Sequence, residues 1–510
     1  MRKIIGGLFT RAFFITASVL LQVIFWIVVV QLLGDYSQWF FAGLLVLSIF
    51  SAIYVIVQDT YPETKIPWIL FMFAFPLVGG IVYFMYSGQK LSKRKREIHE
   101  EIEANLKQAM SEIKDRHIEF LEHDPHAVRQ SEYIDRIASS PAHMNTQVTY
   151  YKLGEEKLEG MIEALKEAKK FIFMEYFIIE EGKMWDSIES VLIEKAAEGV
   201  DVRIMYDDLG CALTLPPDFA KRLATHRIDA RVFNKFTHLF NANFNNRDHR
   251  KICVIDGNVG FTGGINLADE YINHKVKHGH WKDTAVKLEG DAVYNLTIMF
   301  LSMWSSVTEK IENFSDYAPT KQYPSDGVIQ PFSDTPLDND SVGETVYMNI
   351  LNRATDYVYI TTPYLIISHD LLTSLKTAAK SGVDVRIILP GIGDKKFVHF
   401  TSRSYYPELI KAGVKIYEYT PGFIHSKMFI SDDLSAVVGT INLDYRSLNL
   451  HYECGVWMYE SSVVHTIKDD FLTTLSACRE ITVEDVSNHG KFRILKFTFL
   501  GILRAISPLM

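Results

Sequence analysis

The sequence predicts an α/β protein made of two homologous halves behind an N-terminal transmembrane hairpin. A reactive cassette occurs twice: His249-Arg250-Lys251 reaching Asp256, and His425-Ser426-Lys427 reaching Asp432. Each copy runs on into a small-residue turn ending in Asn, Gly263-Gly264-Ile265-Asn266 and Gly439-Thr440-Ile441-Asn442. His, Lys, Asp and Asn all recur at a constant offset of 176 residues, so the register holds across the whole cassette. A second repeat lies upstream of each copy, in Glu198-Gly199-Val200-Asp201-Val202-Arg203-Ile204 and Ser381-Gly382-Val383-Asp384-Val385-Arg386-Ile387. Two long apolar runs near the start of the chain supply the hairpin.

Residues 1–87 form the membrane region. Ala12 to Leu33 and Gln38 to Val57 are apolar runs of 22 and 20 residues, each long enough to span a bilayer. Only Gly34-Asp35-Tyr36-Ser37 separates them, which predicts a tight turn; a signal peptide would carry one shorter apolar core. Ile66 to Tyr86 is also apolar, but Pro76, Gly79 and Gly80 interrupt it, and such a broken segment is expected not to cross. Arg2, Lys3 and Arg11 precede the first run and Lys90, Lys93, Arg94, Lys95 and Arg96 follow the third. The positive-inside rule places both clusters in the cytoplasm and requires an even number of crossings.

Residues 88–135 read as a charged connector helix with a sparse apolar stripe, Ile98, Ile102, Leu106, Met110 and Ile113, lying on the catalytic portion. The halves follow at 136–316 and 342–485. In each, an apolar strand (Phe171-Ile172-Phe173-Met174; Tyr357-Val358-Tyr359-Ile360) leads into a helix, a Gly and a buried-type strand, the βαβ signature. Residues 317–341 are the linker, with four prolines among Ser, Asp and Asn. The tail, 486–510, sets Arg493, Lys496 and Arg504 against Phe492, Ile494, Leu495, Phe497, Phe499 and Leu500, as an interfacial helix does.

The cassette chemistry follows from strand periodicity. Alternation puts His249 and Lys251 on one face of a strand, and His425 and Lys427 on another. Imidazole attacks or protonates and ammonium holds anionic oxygens, so the pairing suits a phosphate. Asp256 and Asp432 complete the cassette at the far strand end, where a carboxylate fixes a turn or a nearby cation more readily than it does chemistry. His274, His278 and His280 crowd one Lys-containing loop without a matched carboxylate or Cys pattern and read as solvated. The four cysteines are scattered without zinc or disulfide spacing. No phosphate-binding P-loop and no nucleophile elbow occurs, which removes the commonest nucleotide and acyl-transfer readings. A formal net charge of -9 argues against a nucleic-acid partner, and 48% hydrophobic content fits partial membrane embedding.

The doubled H-x-K-x4-D cassette with its G-[GST]-x-N turn resembles the phospholipase D superfamily. The Asn245-Asn246-Arg247-Asp248-His249 lead-in, the Asn442-Leu443-Asp444-Tyr445-Arg446-Ser447 tail and the membrane N-terminus are most similar to bacterial cardiolipin synthases. The resemblance implies two phospholipase D-like halves meeting at a pseudo-twofold axis around one site. One His, taken as His249, becomes a phosphohistidine while the other serves as acid and then base. Lys251, Lys427, Asn266 and Asn442 would hold the phosphate oxygens, and Asp283 and Glu453, each opening a strand after its cassette, would orient the imidazoles. It implies no metal and no other cofactor. It also implies a multi-pass protein of the bacterial cell membrane that takes a phosphatidyl group from one phosphatidylglycerol to another, giving cardiolipin and glycerol. A phospholipase D-type hydrolase, or a transphosphatidylase with another alcohol acceptor, would use the same residues.

Overall fold

The computed structural model of the chain describes residues 20, 24–58, 60–86, 93–111, 113, 121–235, 245–324, 326–338, 340–486, 500–505 and 507. Half of the first apolar run and most of the tail, including Phe492 to Phe499, therefore lie outside the described residues. By its described residues the chain divides into two compact units, those lying within 1–90 and 501–510, and the remainder up to Leu500.

In the first unit, helical backbone runs from residue 24 to Val57, and this is the one run among the described residues long and apolar enough to cross a membrane. It is interrupted by a 3-10 turn at Gly34–Tyr36, which Gly34 enters at φ +49°. Phe25 and Phe40, fifteen residues apart, bring their rings to 6.0 Å. A straight helix would separate them by about 22 Å. The third apolar segment is two helices, Pro62–Ala74 and Pro76–Tyr86, broken at Phe75 where the following proline excludes helical backbone. They fold against each other, Trp68 meeting Tyr83 with ring centroids 5.4 Å apart. At Gly79 a Cβ would fall 2.7 Å from the Met72 Cα, so only glycine permits this approach.

The second unit contains two large sheets with one plan. The first holds β1 (Thr146–Tyr151), β2 (Phe171–Tyr176), β3 (Asp201–Asp207), β4 (Ile228–Phe233), β5 (Lys251–Ile255), β6 (Val259–Gly263) and β7 (Ala285–Gly290), in the order β1-β7-β6-β5-β2-β3-β4. The second holds β8 (Val328–Asp334), β9 (Tyr357–Thr361), β10 (Asp384–Pro390), β11 (Lys415–Tyr419), β12 (Met428–Ser431), β13 (Ser435–Gly439), β14 (His451–Tyr459) and β15 (Cys478–Ile481), in the order β8-β14-β13-β12-β9-β10-β11-β15. Strand for strand the orders match, with β15 added at one edge. In each, the three βαβ-linked strands are parallel and the cassette strands antiparallel.

A continuous apolar core joins the sheets. The helix Val293–Thr308 is buried on nearly every side within it, as its all-round apolar sequence demands. The charged helix Lys93–Ser111 lays Ile102, Ala109 and Met110 onto the same core.

Two segments depart from the sequence reading. The linker 317–341 contains β8, which pairs antiparallel with β14 from Val328↔Tyr459 to Asp334↔Glu453. Pro331 disguised it, and an edge strand tolerates the missing donor. The helix Pro125–Ala138 crosses the expected 135/136 border, and its Ala127 and Ile134 belong to the core of the second half.

Candidate active site

Each cassette His stands where a strand of one half runs beside a strand of the other. Arg247–Asp248 pairs in parallel with His451–Tyr452, and Gly422–Ile424 with His280–Lys282. The backbone continues the pairing: His249 N–H donates to the Tyr452 carbonyl at 2.9 Å and His425 N–H to that of Lys282 at 2.7 Å. The next residue on each neighbouring strand is an acid. His249 Nδ1–H therefore reaches Glu453 Oε1 and Oε2 at 2.9 and 3.0 Å, and His425 Nδ1–H reaches Asp283 Oδ2 at 2.7 Å. Asp283 and Glu453 are fully buried. With each Nδ1–H committed to the other half's carboxylate, Nε2 is the nitrogen left for chemistry.

The lysines close the set. Lys251 donates to the carbonyl of His249 and Lys427 to that of His425. Lys427 Nζ also lies 2.8 Å from His425 Nδ1, but that nitrogen's hydrogen faces the Asp283 carboxylate, so we assign the ammonium bond to the carbonyl. Burial is the main influence on all four groups. Burial, then Lys251 and Lys427, push His249 well below the ordinary imidazole range. Burial and Lys427 bring His425 down to about 4 against the opposing pull of Asp283. Burial also lowers Lys251 to about 8 and Lys427 to about 7. Burial alone would raise Asp283, yet Lys427 and His425 outweigh it and hold this carboxyl below its usual value. The substrate-free site thus has neutral imidazoles and two crowded ammonium groups, an environment that a phosphodiester anion relieves.

The small-residue turn has a packing cause. A Cβ on Gly263 would sit 2.4 Å from the Thr284 carbonyl, and one on Gly439 would sit 2.4 Å from the Cys454 carbonyl. Both glycines let the acid-bearing strand pass beside the cassette. One residue on, a Cβ at Gly264 would collide with the Asp283 carboxylate, whereas Thr440 donates its hydroxyl to Glu453. Ser447 adds a hydroxyl to Glu453 at 2.5 Å. The two Asn residues are unequal. Asn266 accepts from Ile178 N–H at 3.0 Å and donates to the Tyr271 hydroxyl at 2.7 Å, while Asn442 Oδ1 is buried without a partner.

Asp256 and Asp432, grouped with the catalytic set by sequence, do not reach the site. Each sits beyond the far end of its cassette strand at φ +53° or +56°. Asp256 accepts from the backbone N–H of Lys169, Lys170 and Phe171, and Asp432 from those of Thr355, Asp356 and Tyr357. Both cap the start of the neighbouring strand. Their spacing to the Lys is fixed by strand length, not by chemistry.

Several neighbours of the imidazoles were not singled out from sequence. Phe177 meets the His249 ring edge-on at 5.1 Å, and Tyr271 and Trp281 approach the His425 ring at 5.6 Å. His451 lies 5.6 Å from the His249 ring, and both its nitrogens are buried, Nδ1 facing Glu453 Oε1 at 3.8 Å. Burial holds it neutral, down to about 3. One signal was available: His451 and Glu453 sit two apart on a strand and share a face. Ligand atoms of His249, His451 and Glu453 lie within 4.8 Å of one another, the only such group among the described residues. His274 and His280 are exposed, His280 with its Nδ1 2.9 Å from the Tyr419 hydroxyl, and His278 lies tilted 6.0 Å from Phe423.

Two α/β halves that lend each other the carboxylate for a His-Lys pair define a phospholipase D-type phosphatidyltransferase. A family model described as "Cardiolipin synthase, PLD-like domain" matches residues 161–304 and 347–475, and a phospholipase D–nuclease N-terminal model matches 46–87. The chain is 34% identical to a cardiolipin synthase of Halalkalibacterium halodurans, covering 91% of this chain and 92% of that one. It is 46% identical to an uncharacterized protein of Streptococcus mutans over 85% and 94% of the two chains. The fold resembles the crystal structure of phosphatidylserine synthase from Haemophilus influenzae, with a TM-score of 0.57, 13% identity, and coverage of 75% of this chain and all of that one. The chain belongs to the cardiolipin synthase family.

Proposed function

We propose that the protein joins two phosphatidylglycerol molecules into cardiolipin and releases glycerol, through a phosphohistidine. The observation that carries this is the crossed pair of buried carboxylates, which frees the Nε2 of two neutral histidines beside two buried lysines. His249 Nε2 attacks phosphorus of the first lipid, the bond from phosphorus to the glycerol headgroup oxygen breaks, and His425 gives its proton to that oxygen. His425 then takes the proton of a headgroup hydroxyl of the second lipid; that oxygen attacks phosphorus, and the P–N bond breaks. Lys251 and Lys427, with the Asn442 amide, hold the non-bridging oxygens where charge develops. Arrival of the anion raises His425 toward the protonated state it needs, and Asp283 steadies the imidazolium.

The two halves are read as related by a pseudo-twofold axis, supported by their matched strand orders and reciprocal strand pairings. The N-terminus is read as a membrane hairpin turning at Gly34–Tyr36, supported by the Phe25–Phe40 ring contact. The paired helices at 62–86 are read as re-entrant: at 13 and 11 residues they measure about 20 and 17 Å, short of a hydrocarbon core of about 30 Å. With both basic clusters inside, the catalytic unit faces the cytoplasm of a bacterial cell.

The test is purified full-length protein in vesicles with phosphatidylglycerol as the only reactive lipid, followed by lipid mass analysis. Cardiolipin and glycerol should appear in equal amounts. Phosphatidic acid without cardiolipin would overturn the reading in favour of hydrolysis.

A further inference from the structure

Nine large apolar side chains stand exposed on the described part of the catalytic unit, and six of them occupy three loops with the short helices they contain: Leu209 on Asp208–Cys211, Phe397 and Phe400 on Lys396–Arg403, and Leu213, Val276 and Ile392 outside them. Leu213 is 99% exposed and Val276 79%. Scattered single exposures are ordinary, but concentration of this kind marks a contact surface.

All three loops adjoin the candidate site. The loop carrying Leu209 and Leu213 leaves the C-terminal end of β3, and its Cys211 Sγ lies 3.5 Å from the carbonyl of Phe177, the residue whose ring meets His249. The loop carrying Ile392, Phe397 and Phe400 leaves the corresponding end of β10. Its Asp394 accepts from the Tyr364 hydroxyl at 2.7 Å, and Tyr364 packs against the apolar cluster that holds Tyr271, Trp281 and Phe423 beside His425. The loop carrying Val276 places His278 6.5 Å from Trp281 and 6.0 Å from Phe423, both of which wall the His425 imidazole. In open α/β sheets the carboxyl ends of the parallel strands are where ligands enter.

Lysines interleave with these apolar tips: Lys395 and Lys396 precede Phe397, while Lys275 and Lys277, which flank Val276, pair with Glu180 and Glu270 at 2.8 and 3.0 Å. Apolar tips with adjacent lysines fit the interface of an anionic bilayer, where apolar groups enter the acyl boundary and ammonium groups meet phosphates.

We infer that these three loops form a docking rim that seats the mouth of the active site on the surface of an anionic phospholipid bilayer. A lipid headgroup then reaches the histidines while its acyl chains stay in the membrane. The inference rests on the proposed lipid substrate and adds where and how that substrate is met.

The test combines Leu213→Asp, Val276→Asp and Phe397→Asp in full-length protein. Two substrates are compared: phosphatidylglycerol in vesicles, and a short-chain phosphatidylglycerol below its micelle concentration, supplied to protein held in phosphatidylcholine nanodiscs. The triple variant should lose at least tenfold on vesicles and stay within twofold of wild type on the monomeric lipid. Equal loss on both substrates, or loss on neither, overturns the rim. Wild type inactive on both would instead overturn the proposed function. A second readout stands apart from turnover: an environment-sensitive fluorophore on Leu213→Cys should shift to the blue in phosphatidylglycerol vesicles. The same label on Val483→Cys, which is exposed but off the rim, should not. Cys478 is replaced by Ser for this, because the other three native cysteines are buried. Identical spectra at the two sites would refute membrane contact by the rim.

Discussion

Glu453→Gln separates the crossed pairing from a merely structural role for the acid. Glutamine keeps the side-chain volume and a carbonyl oxygen for Thr440 or Ser447, but it replaces one carboxylate oxygen facing His249 Nδ1 with an NH2. A donor facing Nδ1 favours the tautomer protonated on Nε2, the nitrogen that must attack. Losing a charge-assisted hydrogen bond costs about 1.5–3 kcal/mol, or roughly 10- to 150-fold. Fixing the wrong tautomer in a serine protease triad costs about 10⁴-fold. Because Glu453 is wholly buried and water cannot replace it, the loss in cardiolipin formation should fall between about 10² and 10⁴. Asp283→Asn should cost a similar factor with phosphatidylglycerol, since it disables the acid. The two variants separate on a phosphatidyl-nitrophenol substrate, whose leaving group needs no proton. There Asp283→Asn and His425→Ala should still form a labelled, acid-labile adduct, while Glu453→Gln and His249→Ala should not. The opposite pattern would exchange the roles of the two histidines. Glu453→Gln turning over within threefold of wild type, with an unchanged melting temperature, would refute the pairing itself.

Asp256→Ala and Asp432→Ala should each lower stability by about 1–3 kcal/mol through loss of backbone caps, while kcat of the folded enzyme stays within threefold; denaturant melts beside active-site titration check this. Lys427 binds the anion only as ammonium, so kcat/KM should fall as pH rises through about 7, and Lys427→Arg should move that limb up toward the value of about 8 held by Lys251. His425 takes up a proton near 6.5 when unfolded but only near 4 when folded, so the substrate-free protein should lose stability as pH drops across that interval, seen in pH-dependent melting. Chelators should leave activity unchanged, whereas added zinc should inhibit by binding His249, His451 and Glu453; His451→Phe should raise the inhibitory concentration at least tenfold, and an unchanged value would exclude that set.

The cassette was legible because its spacing is set within one strand and one turn, where sequence distance and spatial distance agree. The identical register of His, Lys and Asn gave the two halves and their common plan. The partnerships were not legible. Asp283 and Glu453 follow their cassettes at different distances, and neither serves the histidine of its own half. Nothing local says that Glu453 meets His249; the meeting depends on Arg247–Asp248 running in register with His451–Tyr452. His451 was hidden in the same way, as one polar residue on an alternating strand until that strand met the other half. Strand β8 was masked by Pro331, whose missing N–H matters only in a strand that needs both edges paired. The helix Pro125–Ala138 precedes the first half in sequence but packs on the core of the second, which a boundary drawn from composition alone cannot reveal.

The crossed acids also hold the two halves together. Asp283 is fully buried with Lys427 and His425 as its main counterparts, and both belong to the other half. Without them its charge would be left unpaired, and stranding one member of a buried ion pair typically costs 3–5 kcal/mol. A second link strengthens this seam: Lys282, whose carbonyl receives His425 N–H, binds Asp470 at 2.7 and 2.8 Å, and Tyr150 donates to the same carboxylate at 2.7 Å. Docking of the halves therefore creates the site and satisfies the charges that either half alone would bury at a loss. An assembled active centre and a stable seam are the same set of bonds.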